Sequence, residues 1–288
     1  MNESGTAERI RPHQPSALHG IRRLSHAAAT LALSVCAAPA FAAPDWDMVG
    51  VKLGMTEAEV TAAFLAYDAK GKIIKNNASF SYSDKVNSFR TPPFLTSMQI
   101  QVLRRSIQTP LKVWFSGPAG DVRVIAIARQ ELDIPNPPTG EQFMQSLVAK
   151  YGKPTALNSA NVPTWEEKGK PSCIWVSSGA NAANWLDFNP FSKVINPPGQ
   201  ADFSEAASDL EQRQADKLRG KALPADLSTC GAFMYYTGTN FNPANHFVGG
   251  LFDVGAIMAT HRSRKAWVDQ LQAEAIRKRE SQGQAPRL

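Results

Sequence analysis

Beyond residue 42, the side chains with which this chain could do chemistry are few: Cys173 and Cys230, His246 and His261, and the adjacent carboxylates Glu166 and Glu167. Two thiolates and two imidazoles would make a Cys₂His₂ zinc set, but the two histidines lack ligand spacing to each other. A Ser-His-Asp hydrolase needs a nucleophile on an exposed elbow such as Gly-x-Ser-x-Gly, and Ser177-Ser178-Gly179 is not one. Glu166 and Glu167 fall in a strand-like stretch, where neighbouring side chains point to opposite faces and cannot converge on one substrate atom. Lysine-lined phosphate loops, a Gly-x-Gly-x-x-Gly fingerprint and His-Glu-x-x-His are all missing from the sequence. No residue is therefore assigned a catalytic, cofactor-binding or metal-binding role. The two cysteines are expected to form a disulfide, the common fate of an even pair in an exported protein. Closing residues 173–230 into a loop of 58 residues adds about 4 kcal/mol on the chain-entropy model.

Binding chemistry has more candidates. Six tryptophans lie beyond residue 42, and tryptophan concentrates at binding hot spots. Trp114, Trp175 and Trp267 sit in apolar patterns and are expected in the core. Trp165 and Trp185 flank polar segments and are the surface candidates for a partner. Arg262, Arg264 and Lys265, followed by Arg277-Lys278-Arg279, make the last helix basic. That face suits weak contact with anionic lipid headgroups or with an acidic partner.

The compartment is read from the beginning of the chain. Arg22 and Arg23 precede an apolar run from Leu24 to Ala38, and Ala40-Phe41-Ala42 fits a small-x-small cleavage site. Residues 1–42 are thus expected to be a signal peptide and the protein periplasmic or secreted. Cys36 would be the lipidated residue of a lipoprotein, but Val35 stands where a lipobox wants glycine or alanine. The remaining 246 residues carry 27 basic and 23 acidic side chains, a formal charge of +4. So small an excess argues against a nucleic-acid partner. No later segment has the continuous apolar length, about 20 residues, of a membrane-spanning helix.

The elements that must position these residues are legible mainly at their ends. Gly54-Met55-Thr56-Glu57-Ala58-Glu59-Val60 holds a glycine corner, a Thr56–Glu59 capping box and a Met55/Val60 hydrophobic staple. The helix it starts runs from Glu57 to about Tyr67. Thr139 and Gln142 repeat the capping device, and Gly152 with Pro154 ends the second helix. Strand patterns fill Met98–Val102, Leu111–Phe115 and Val122–Arg129, then Pro163–Glu167, Cys173–Ser177, Asn184–Phe188, Cys230–Thr237 and His246–Phe252. A charged helix is expected from Asp202 to about Leu218. The last helix, from about Ala256 to Arg279, is capped near Asp253 and carries a Glu274–Lys278 pair. The fold class that follows is α+β: antiparallel sheet with helices packed on one face, organised as two related helix-plus-meander halves. The expected boundaries are 43–135 for the first half, 136–255 for the second with its inserted helix, and 256–288 for the C-terminal helix and tail.

Gly54-Met55-Thr56-x-x-x-Val60 and Lys150-Tyr151-Gly152-Lys153-Pro154 resemble the helix start and helix end of the SmpA/OmlA-type envelope lipoproteins, and with them the similar β-lactamase inhibitory protein. The resemblance implies short helices on an antiparallel sheet and a non-enzymatic role. That role is binding another envelope protein or supporting envelope assembly, and the resemblance carries no catalytic residue across. An exported hydrolase, a small-ligand-binding protein with a site built from scattered residues, and an enzyme inhibitor are the alternatives.

Overall fold

In the computed structural model, described for residues 44–102, 110–118, 121–157, 162–171, 173, 224, 226–239 and 241–283, the central strand-forming runs bury both of their faces. On β11 (Ala232–Tyr236) all five residues are buried. Phe233 and Tyr235 join one apolar cluster, while Met234 and Tyr236 join another. Side chains alternate across a strand, so these clusters are the two sides of one sheet. β12 (Phe247–Asp253) divides in the same way, with Val248 and Phe252 on one side and Phe247 and Leu251 on the other. Gly249 and Gly250 make room for this double packing. A methyl group on Gly249 would meet the Tyr236 ring at 2.6 Å, and one on Gly250 the Tyr235 ring at 2.5 Å.

The sheet has eight antiparallel strands in the order β3-β6-β7-β8-β12-β11-β10-β9. β3 (Lys72–Ala78), β6 (Phe94–Gln101), β7 (Leu111–Phe115) and β8 (Val124–Glu131) follow helix α1 (Glu57–Tyr67). β9 (Ala156–Leu157), β10 (Pro163–Glu166), β11 and β12 follow helix α2 (Gly140–Tyr151). The two sets meet where β8 pairs with β12, from Phe247 opposite Glu131 to Phe252 opposite Ala126. A short N-terminal ladder, β1 (Asp47–Met48) with β2 (Val51–Lys52), and a separate hairpin, β4 (Ser81–Ser83) with β5 (Ser88–Arg90), complete the β structure.

Both capped helices form as the sequence dictates. Thr56 Oγ1 accepts the Glu59 amide at 3.3 Å while Glu59 Oε2 accepts the Thr56 amide at 2.7 Å. Thr139 and Gln142 repeat the exchange at 3.2 and 2.9 Å. Each box satisfies two amides that a helix start otherwise leaves unpaired, and its loss costs about 1 kcal/mol. Gly54 takes φ +79° at the corner before α1, and its amide donates to Val124 O at 2.8 Å, tying the helix entry to β8. Val60 and Phe64 of α1 and Leu147 of α2 pack with Met98, Ile100, Val113 and Ile127 on one side of the sheet.

Helix α3 (Val254–Gln282) is longer at both ends than its sequence pattern suggests. Its N-cap is Asp253, whose Oδ1 accepts the Ala256 amide at 2.8 Å, and burial raises that carboxyl's pKa. Val254, Ile257 and Met258 pack with Trp114, Phe233, Tyr235 and Phe252, so α3 covers the side of the sheet away from α1 and α2. The Glu274–Lys278 pair expected on it does not form. Glu274 instead accepts the Gln270 side-chain amide at 2.8 Å. The strands expected at Cys173–Ser177 and Asn184–Phe188 and the helix expected from Asp202 lie outside the described residues, Cys173 apart. No helix among the described residues is long and apolar enough to cross a membrane.

Candidate functional site

Cys173 and Cys230 are bonded to each other, with both sulfurs in the cluster that α3 covers. Cys230 follows a single 3-10 turn, Leu227–Thr229, capped by Asp226. Asp226 Oδ1 accepts the Ser228 hydroxyl at 2.7 Å and the Ser228 amide at 2.9 Å, and it pairs with Arg262 at 2.6 Å. The hydroxyl, the amide and the guanidinium favour the ionised carboxylate, and Asp226 is held down at about 2. A carboxylate with a depressed folded pKa contributes stability above its unfolded value near 3.8 and loses it as the pH falls through about 2. The NMR resonance of the Asp226 carboxyl carbon is accordingly expected to titrate with a midpoint about 2. In Ser228→Ala the midpoint rises toward the ordinary value, and in Arg262→Gln it rises less. An unchanged midpoint in both variants would refute the assignment.

Arg262 is therefore committed within the chain, and so are the other basic residues of the first run expected on α3. Lys265 pairs with Asp269 one turn along the helix. Arg264 is not on that face at all. It is fully buried, with Nε donating to Gly117 O at 2.5 Å, Nη2 donating to Phe115 O at 3.0 Å, and its guanidinium over the Phe94 ring. Burial lowers its pKa to about 10, so it stays charged at neutral pH. The run Arg262-Ser263-Arg264-Lys265 looks solvent-facing in sequence, but a helix turns about 100° per residue, and Arg264 falls on the inward side.

Trp165 also corrects its sequence reading. It is 2 % exposed. Its indole nitrogen donates to Gly152 O at 3.0 Å, and its ring meets Tyr151 and Tyr236 edge-on at 5.7 and 6.4 Å. It belongs to an aromatic wall between α2 and the sheet, closed by the Tyr151–Tyr236 hydroxyl contact at 3.0 Å and by Tyr151 donating to Asp47 O at 2.7 Å. Beside this wall Arg129 lies over the Phe247 ring and pairs with Glu131, which accepts the Tyr67 hydroxyl. Trp185, the other surface candidate, lies outside the described residues. Trp114 is buried, and Trp267 packs against Phe80 and Phe94. His246 bonds the neighbouring Asn245 side chain at 2.8 Å and lies on the Phe241 ring, while His261 is buried in α3. Glu167 accepts the Ala232 amide at 2.9 Å and pairs with Lys170, a bracing role for the strand end.

What the sequence reading missed is a cleft of about 530 Å³ between the β4–β5 hairpin and the last turns of α3. Tyr82, Asp84, Asn87 and Phe89 line one wall, and Leu271, Glu274, Ala275, Lys278, Arg279 and Gln282 line the other. At the base of the hairpin Phe80 and Phe94 pack with Val268 and Trp267. Tyr82 and Phe89 are cross-strand partners with rings stacked at 5.4 Å. The hairpin turn is held rigidly: Asp84 accepts the amides of Val86 and Asn87 at 2.8 and 2.6 Å and the Asn87 side chain at 3.1 Å. Those donors, the Asn87 amide foremost, keep the Asp84 carboxyl below the usual carboxylate range. Polar alternation around Phe80 and Tyr82 was the available signal, but nothing in it says that a distant helix forms the second wall.

No protein-family model, curated protein or solved structure matches this chain.

Proposed function

We propose that this is a non-enzymatic binding protein of the bacterial-type cell envelope, exported with cleavage after Ala42, that engages another envelope protein through the cleft between the β4–β5 hairpin and α3. The cleft carries the reading. Its two walls combine stacked aromatic rings, Phe89 at 38 % exposure, with charged side chains, and apolar surface rimmed by polar groups is the usual composition of a recognition site. The Cys173–Cys230 disulfide supports an oxidising compartment, since such bonds persist mainly outside the cytosol. The resemblance of Gly54–Val60 and Lys150–Pro154 to SmpA/OmlA-type segments points to the same class. Within this reading the α1 and α2 halves are variants of one helix-plus-meander unit, supported by the matching capping boxes at Thr56 and Thr139.

Site-specific photo-crosslinking in cells tests it. A benzoylphenylalanine placed at Phe89 or at Val86, 72 % exposed, is expected to give a covalent adduct with another envelope protein. The same probe at Leu65, 45 % exposed on the far side of the sheet, is expected to give none. Absence of adducts at Phe89 and Val86, with purified protein hydrolysing a generic ester or peptide, would replace this reading by that of an exported hydrolase.

A further inference from the structure

We infer that the outer edge of β3 takes an extended segment of another protein, which adds a ninth strand to the sheet and carries a carboxylate two positions from a β-branched or aromatic side chain. This surface is separate from the cleft, so the inference goes beyond the reading above. β3 stands at one end of the strand order and pairs only with β6. The backbone N–H and C=O groups along its other edge therefore have no strand to meet. β9, at the opposite end of the sheet, has two residues, whereas β3 has seven. Lys72, Lys75, Asn76 and Asn77 are exposed along it. An extended backbone offers donors and acceptors at the spacing such an edge requires, which selects a protein segment as the occupant. The register shift between Asn76 and Asn77 ends the regular edge, so the occupant pairs along residues 72–76.

The side chains of this edge set what the segment carries. Ile73 packs into the cluster beneath α1, and Lys75 pairs with Glu57 of α1. Alternation then puts Lys72, Ile74 and Asn76 on the other face. Asn76 is committed there, its amide donating to Ser97 Oγ at 3.0 Å. Ile74 is only half-buried and joins none of the apolar clusters of the described residues. Two positions away, Lys72 pairs with no acidic side chain among the described residues. The nearby carboxylates are engaged, Glu57 by Lys75 and Asp68 by the Lys70 amide at 2.9 Å. A neighbouring strand thus gains most by resting an apolar side chain on Ile74 and setting a carboxylate against Lys72.

A second copy of this chain fits less well. Antiparallel pairing of two copies along the whole of β3 sets Lys75 opposite Lys75 and Ala78 opposite Lys72. Pairing along residues 72–76 alone sets Asn76 opposite Lys72. Neither arrangement brings a carboxylate to Lys72, and lysine on an edge strand is a usual guard against self-pairing.

Random twelve-residue peptides displayed on phage are selected against the purified, oxidised protein, and a fluorescein-labelled copy of the most enriched peptide is titrated by fluorescence anisotropy. Enrichment of Asp or Glu two positions from Val, Ile, Phe or Tyr is expected. The peptide's own amides are then N-methylated one at a time, which tests the main-chain contact without altering the protein. Methylation at alternate amides should weaken binding about tenfold and at the amides between them should leave it unchanged. Lys72→Glu should weaken binding about tenfold, with the circular dichroism spectrum and urea midpoint unchanged. Phe89→Ser, in the cleft, should leave binding unchanged. No enrichment, enriched peptides without acidic residues, binding indifferent to N-methylation, or equal binding by Lys72→Glu overturns the inference. So does binding lost in Phe89→Ser, which would place the peptide in the cleft. A dimer in sedimentation velocity that Ile74→Glu dissolves would give the edge to a second copy instead. Crosslinks from Phe89 in cells bear on the cleft alone, so the failure of either reading is visible without the other.

Discussion

Replacing both bridged cysteines by alanine is expected to lower unfolding stability by about 4 kcal/mol. The bond joins residues 57 apart in sequence, so without it the unfolded chain regains the freedom of a long loop, worth about 4 kcal/mol on the chain-entropy model. The native state loses less, because two alanines keep most of the apolar contact that Cys173 and Cys230 make in the cluster under α3. The double variant avoids leaving a lone buried thiol that could oxidise with another molecule. With a urea slope of roughly 2 kcal/mol/M, the midpoint should fall by about 2 M. Reductant should bring the wild-type protein to the variant's midpoint and leave the variant where it is. A wild-type midpoint unmoved by full reduction would show that the bridge contributes nothing.

The second large effect is expected at Arg264. Truncation to alanine removes the only side chain that donates, within the described residues, to the carbonyls of Phe115 and Gly117 together, and it empties the space over the Phe94 ring. Each buried carbonyl left without its donor costs about 1–3 kcal/mol, and the void adds to that. A total loss of about 3–5 kcal/mol is expected in urea or thermal unfolding, comparable with breaking a buried charged contact. Arg264→Met separates the two contributions, because it refills the volume without the donors and removes the cost of burying a charge. It should therefore be clearly less damaging than alanine. Arg264→Lys keeps the charge but cannot reach two carbonyls with one planar fork. If alanine costs less than about 1 kcal/mol, Arg264 does not anchor α3 to the β7–β8 turn.

Arg264 also shows why the candidate site was hard to read from sequence. Three basic residues in four positions read as one solvated patch, and in space they take three different roles. Arg262 braces the Asp226 turn, Arg264 enters the core, and Lys265 pairs along the helix with Asp269. Trp165 misled in the opposite direction. Its polar neighbours suggest a surface, yet β10 lies between β11 and β9, and the indole turns inward under Tyr151. Local polarity reports on the adjacent side chains, which point to the other face of a strand. Whether a face is covered depends on partners outside the local pattern: the Trp165 ring is closed by Tyr151 of α2, 14 residues away, and by Tyr236 of β11, 71 residues away.

The α+β class, the antiparallel sheet, the two capped helices and the disulfide all followed from the amino-acid sequence itself. Each depends on simple chemistry: a capping oxygen three residues from its amide, a glycine at positive φ, alternation along one strand, or the pair of cysteines beyond residue 42. Tertiary structure alone decided that α3 covers the opposite side of the sheet from α1 and α2, that Arg264 and Trp165 are buried, and that the hairpin at residues 81–90 faces the end of α3 across a cleft. These depend on which surfaces meet after residues nearly two hundred positions apart are brought together, and a cleft belongs to neither of the segments that line it.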